Sequence, residues 1–160
     1  MKRNAFVLLL VLGLVAALPA WGGDPHCKKV GGVLMTNIAA IDGTYNLGPV
    51  FGDLAGSVAA KILPTPDPTG GFWLQHYWVT FSGETIKFNP AHLKPTGTDT
   101  EGVVAVKWGD YESDIVPGGT GKYANANGKV WYFGLADFGA NTLVLRYRGY
   151  VCFEGAGDED

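Results

Sequence analysis

The sequence is short of the residues that most often carry chemistry. It has three histidines, two cysteines and two methionines among 160 residues, and only 17% of its residues are charged. His26, His76 and His92 have neither the i,i+2 nor the i,i+4 spacing that brings two imidazoles to one metal, and no run of carboxylates accompanies them. Cys27 and Cys152 are far from a C-x-x-C arrangement. No G-x-S-x-G elbow occurs, and G-G-T-G-K at Gly118–Lys122 lacks the Walker spacing and opens a strand rather than a helix. Neither a metal site, a cofactor nor a nucleophile-dependent hydrolase is therefore expected. Basic residues are in the minority, 12 Lys and Arg against 15 Asp and Glu, with no cationic stripe to track phosphates. Nucleic acid is not an expected partner.

Long apolar runs are missing too. Ala5–Leu18, behind Lys2 and Arg3, is unbroken apart from Gly13, yet falls short of the ~20 residues a bilayer span needs. Pro19, Ala20 and Gly22 supply small residues suited to cleavage after Ala20 or Gly22, so residues 1–22 read as a secretory signal peptide, with an uncleaved anchor as the alternative. Asp24, Pro25 and His26 are not the small apolar approach of a lipidated cysteine, which argues against an anchor at Cys27. The expected product is secreted or periplasmic, with no membrane span after cleavage. It comprises one domain over 23–154 and a disordered acidic tail over 155–160. Export puts both cysteines where thiols oxidise, and two cysteines allow only one pairing, so a Cys27–Cys152 disulfide stapling the first strand to the last is expected.

Helical periodicity is scarce as well, and what remains is strand after strand. Val30–Ile41 ends in the turn Asp42-Gly43, and Val50–Leu63 reads as one further strand because Gly52 and Gly56 disfavour a helix. Pro64–Gly71, with three prolines and two glycines, is the clearest break. Phe72–Ser82 is the strongest strand signal, dense in aromatic and β-branched residues. Thr85–Phe88 resumes it, and Asn89–Gly102 reads as a long loop or edge excursion. Val103–Trp108, Tyr111–Val116, Lys129–Phe138 and Thr142–Glu154 complete the set. About eight strands with short turns and no βαβ alternation predict an all-β fold, a single eight-stranded antiparallel barrel, because closure removes exposed edges. A β-sandwich is the runner-up, since turn spacing alone does not separate the two.

Between two of these strands lies Ile115–Asn127, where Gly118, Gly119 and Gly121 free three positions in four from the Cβ constraint. It reads as a tight corner with Tyr123 and Ala126 folded back onto the sheet. Period two in the last strand puts Leu143, Leu145, Tyr147, Val151 and Phe153 on an apolar, inward face and Arg146 and Arg148 on the other. Glu112 and Asp114 share one face, most simply solvent-exposed, with the two arginines as cross-strand partners.

The chemistry-bearing candidates cluster on the aromatic strand. One face carries Phe72, Leu74, His76, Trp78 and Thr80, the other Trp73, Gln75, Tyr77, Val79 and Phe81. His76 is the group here that titrates near neutral pH, with proton transfer to a ligand as its natural role and a hydrogen-bonded structural histidine as the plain one. Ligand-binding candidates are His76, Tyr77, Trp78, Glu84, Tyr111 and Tyr147. Catalytic residues are not identifiable.

The string G-G-T-G-K-Y-A-N-A-N-G at Gly118–Gly128 resembles the glycine signature of the allene oxide cyclase-like and dirigent-like barrel families. V-W-Y-F-G-L after it, T-L-V-L-R-Y-R-G near the end, and C-K-K-V-G-G-V-L with Cys152 resemble exported bacterial relatives without assigned activity. The resemblance implies an eight-stranded barrel with a largely apolar lumen, often a trimer. It also implies a cofactor-free function in which a hydrophobic or aromatic small molecule is bound and shaped for cyclisation or coupling. No catalytic position transfers, so a non-enzymatic carrier, structural or interaction barrel of the cell surface is the alternative.

Overall fold

A computed structural model of the protein describes residues 26–94, 102–107 and 109–154. The expected signal peptide over 1–22 and the expected acidic tail over 155–160 lie outside the described residues. Ten strands form one antiparallel sheet: β1 Cys27–Ile41, β2 Tyr45–Gly52, β3 Gly56–Ile62, β4 Phe72–Thr80, β5 Thr85–Lys87, β6 Ala91–Leu93, β7 Val103–Val106, β8 Glu112–Ile115, β9 Asn127–Asp137 and β10 Thr142–Cys152.

β5 and β6 both pair with β4, and β7 and β8 both pair with β9, so each short pair is one interrupted strand. Counted that way, eight strands follow one another in chain order, and β10 returns to pair with β1 from Cys27↔Cys152 to Asn37↔Thr142. The remaining junction, between β5/β6 and β8, is spanned by the bridges Phe88↔Ile115 and Leu93↔Tyr111. Backbone bonds Val116 N–H to Lys87 O (3.0 Å), Asn89 N–H to Asp114 O (3.0 Å) and Lys94 N–H to Asp110 O (2.9 Å) reinforce it. The sheet thus comes round on itself as an eight-stranded meander barrel, not a sandwich. Cys27 and Cys152 form a disulfide, 125 residues apart in sequence, between directly opposed positions of the first and last strands.

Several boundaries differ from the sequence reading: β1 begins at Cys27 rather than Val30 and β2 at Tyr45 rather than Val50, and two differences change the element count. Val50–Leu63 is not one strand: it breaks at Asp53–Ala55, where Gly52 adopts φ +106° and the Ala55 N–H bonds to Gly52 O (3.2 Å). Small residues on both sides of the break hide it from a hydrophobicity reading. Within Asn89–Gly102, Ala91–Leu93 is a true strand paired on both sides.

Alternation sorts the side chains cleanly. On β4, Leu74, His76, Trp78 and Thr80 are buried inward while Tyr77 and Val79 are exposed; on β10, Leu143, Leu145, Tyr147 and Val151 point in and Arg146 and Arg148 point out. Glu112 and Asp114 are exposed, but their cation is Lys129 on the neighbouring β9 (2.7 and 3.3 Å) rather than an arginine of β10. Arg146 instead lies 5.9 Å from the centre of the Phe133 ring.

The two ends of the barrel are unlike. One end, the base, gathers the β2–β3 and β4–β5 turns, the disulfide and the glycine corner. At the corner Gly118 (φ +109°) and Gly121 (φ +56°) make the reversal, and a 3-10 turn over Gly121–Tyr123 folds Tyr123 and Ala126 into the core. Gly119 sits so close to the β4–β5 turn that a Cβ would stand 2.4 Å from Thr85 O. The other end, the mouth, carries the β1–β2 turn, the Pro64–Gly71 loop and the β9–β10 turn.

Candidate functional site

The base of the lumen is filled by side chains. Leu54, at the β2–β3 turn, turns inward and is buried. Its N–H donates to the Tyr147 hydroxyl (3.0 Å) and its carbonyl accepts from Trp78 Nε1 (2.8 Å), so both backbone groups of this plug are satisfied by inward side chains. Trp78 stacks on Phe88 at 5.7 Å and meets Tyr147 edge-on at 5.6 Å. Burial lifts the Tyr147 phenol to about 12.

Midway along the barrel lies a buried polar cluster. His76 Nε2 is hydrogen-bonded to the Tyr111 hydroxyl, and its Nδ1 lies 3.2 Å from Ser113 Oγ. The phenol is the stronger acid, so Tyr111 O–H donates to Nε2 and the imidazole carries its proton on Nδ1, toward Ser113. Tyr132 stacks flat on the imidazole (5.8 Å, 16°) and lies 4.5 Å from Tyr111, ring centre to ring centre. Burial pushes His76 down to about 4, so the ring is neutral at pH 7; burial also raises the Tyr111 and Tyr132 phenols. Ser113 lies near enough to temper the rise at Tyr132, although no hydrogen bond of normal geometry reaches the Tyr132 hydroxyl among the described residues.

Above this cluster the lumen opens into two small chambers. The inner one, about 30 Å³, is bounded by His76, Tyr111, Thr36, Asn46 and aliphatic side chains including Leu34 and Leu145. The outer one, about 50 Å³, reaches the mouth between Ile38, Ile62, Phe72, Val104, Ala136 and Phe138. Asn46, Leu74, Leu93 and Leu143 line both, so the chambers are adjacent. Asn46 Oδ1 accepts from the N–H of Ala39 (3.0 Å), which holds φ +54° at the β1–β2 irregularity.

His76 and Tyr111 thus meet at the chamber floor, Trp78 and Tyr147 sit deeper and hold the base, and Tyr77 stands on the outer wall, 50% exposed. Glu84 is at the base, accepting from Lys122 N–H (2.9 Å) and Ser82 Oγ (2.8 Å), bonds that lower its pKa and clamp the glycine corner to the β4–β5 turn. Thr36 and Asn46 were not legible as site residues from their own chemistry. The available signal was phase: Thr36 follows Val30 and Leu34 on the inward side of β1. Among the described residues no group of three His, Cys, Asp or Glu side chains is placed to hold a metal.

No family model and no curated protein matches the sequence. Two solved structures are similar in three dimensions. One is the pterocarpan synthase dirigent protein GePTS1, at 17% identity and a TM-score of 0.40, covering 88% of this chain and 97% of that one. The other is the pterocarpan synthase dirigent protein PsPTS1, at 14% identity and a TM-score of 0.32, covering 84% and 99%.

Proposed function

We propose that the protein is an exported barrel that takes the apolar part of a small molecule into the recess at its mouth. The observation that carries this reading is the recess itself: of the eleven described residues that line its outer chamber, only Asn46 is polar. Apolar concavities with a few convergent polar groups are what small-molecule sites look like. At the floor the Tyr111 hydroxyl donates its hydrogen bond to His76, which leaves the phenol oxygen as a neutral acceptor for a hydrogen bond from a bound molecule. The Cys27–Cys152 disulfide and the apolar segment behind Lys2 and Arg3 support export.

The test is a methyl NMR titration with toluene. Shifts concentrated on Leu74, Leu93, Val104 and Leu143, abolished by filling the outer chamber with Ala136→Leu, support the recess. Absence of shifts up to the solubility limit rejects it.

A second reading, a structural or interaction barrel without ligand, is favoured by the base, which Leu54, Trp78, Phe88 and Tyr147 fill. Self-association is part of either reading. Leu135, Val144 and Met35 lie side by side on the outer wall of β9, β10 and β1, all exposed, and offer an apolar strip to a second copy. Native mass spectrometry reads the subunit count and any retained ligand together.

A further inference from the structure

Thr36 and Tyr132 carry the two buried hydroxyls without a partner among the described residues, and of the two only Thr36 lines the inner chamber. Thr36 is only 5% exposed. A buried hydroxyl without a partner is unfavourable against one that is bonded, so such a group points to something that completes it. Asn46, with its oxygen tied to Ala39, lines the same chamber.

The chamber is too small for a ring and large enough for one oxygen with the carbon that bears it. Leu74, Leu93 and Leu143 line both this chamber and the outer one that lies toward the mouth. Among the described residues no Lys, Arg, Asp or Glu lines either chamber, so a carboxylate or ammonium group entering it would lose its hydration without gaining a counter-ion from them.

We propose that the inner chamber is a socket for the uncharged hydroxyl or carbonyl oxygen at the end of a narrow aliphatic ligand, with Thr36 Oγ1 as its hydrogen-bond partner and carboxylates excluded. The inference rests on the recess reading above and narrows the ligand class it accepts.

The experiment uses 1-hexanol, 1-chlorohexane and hexanoate at pH 7 against the unmodified protein, Thr36→Val and Thr36→Ser, followed by methyl NMR. Hexanol is expected to bind the unmodified protein and Thr36→Ser alike. Thr36→Val should weaken hexanol at least fivefold while leaving 1-chlorohexane within twofold, and hexanoate should bind at least tenfold more weakly than hexanol. Orientation is read on the unmodified protein, which keeps the test independent of how the variants fold. A nuclear Overhauser contact from the Thr36 methyl to the CH2OH protons supports the socket. A contact to the hexanol terminal methyl instead, equal weakening of hexanol and 1-chlorohexane by Thr36→Val, or a trapped water that stays on Thr36 at saturating hexanol overturns the socket and leaves the recess standing. If hexanol, 1-chlorohexane and toluene all fail to bind, the recess reading falls with it.

Discussion

Tyr111 and His76 are hydrogen-bonded to each other across the closing junction of the barrel, from segments that share no continuous ladder. His76 stands on β4 and Tyr111 on the approach to β8, with β6 between them. A neutral imidazole is therefore built into the tertiary structure, and its protonation opposes folding. The folded-state value of about 4 lies below the ordinary 6.5. Between these values the unfolded chain binds the extra proton and the native state does not, so stability is complete above pH 6.5 and falls as the pH drops toward 4. The full loss amounts to about 3 kcal/mol. Urea denaturation from pH 7.5 to 4 should show this slope, and His76→Gln should flatten it; an unchanged slope in the variant refutes the assignment.

Breaking the Cys27–Cys152 disulfide removes a constraint on the unfolded chain rather than a native contact. A loop of this length corresponds to about 4–5 kcal/mol of closure entropy as an upper bound. The double variant Cys27→Ser/Cys152→Ser should stay folded through the eleven paired positions of β1 and β10 but unfold at markedly lower denaturant. Equal midpoints with and without the disulfide would contradict this.

Glycine substitutions should separate close approach from turn conformation. At Gly32 an added Cβ stands 1.9 Å from Phe51 O and 2.7 Å from the Tyr147 hydroxyl, so Gly32→Ala should cost about 3 kcal/mol or prevent folding. At Gly43 (φ +68°) nothing lies within 4 Å, and Gly43→Ala should cost only about 1 kcal/mol, the price of a left-handed backbone. Thermal melts of the two variants give the comparison.

Tyr147→Phe leaves the packing of the base in place but strands the buried Leu54 N–H, for an expected loss of about 1–3 kcal/mol. Lys129→Ala removes two surface ion pairs with Glu112 and Asp114 and should move stability by less than about 1 kcal/mol. If the surface variant proves the more damaging, the importance assigned to the Leu54 plug is wrong.

The fold was readable wherever period two is undisturbed. β4 and β10 alternate large apolar with polar or exposed residues, so their inward and outward faces follow from sequence position alone. The reading failed where side chains are small or where pairing depends on distant chain. Val50–Leu63 hides a turn because Gly52, Ala55 and Gly56 carry no pattern, and Ala91–Leu93 becomes a strand only because β4 and the segment at Tyr111 flank it. Lys129, rather than Arg146 or Arg148, pairs with Glu112 and Asp114 because β8 is registered against β9, a relationship no local pattern encodes. The recess was legible in part: His76 and Tyr111 drew notice as ionisable aromatics, whereas Thr36 and Asn46 matter through what they lack and what they hold.

Residues 27 and 152 leave the barrel side by side, at the pole opposite the recess. Whatever is attached beyond either point therefore hangs from the same side of the molecule. A purification handle, a surface linkage or a fused partner would tether the protein by its sealed foot and leave the opening pointing outward, unobstructed.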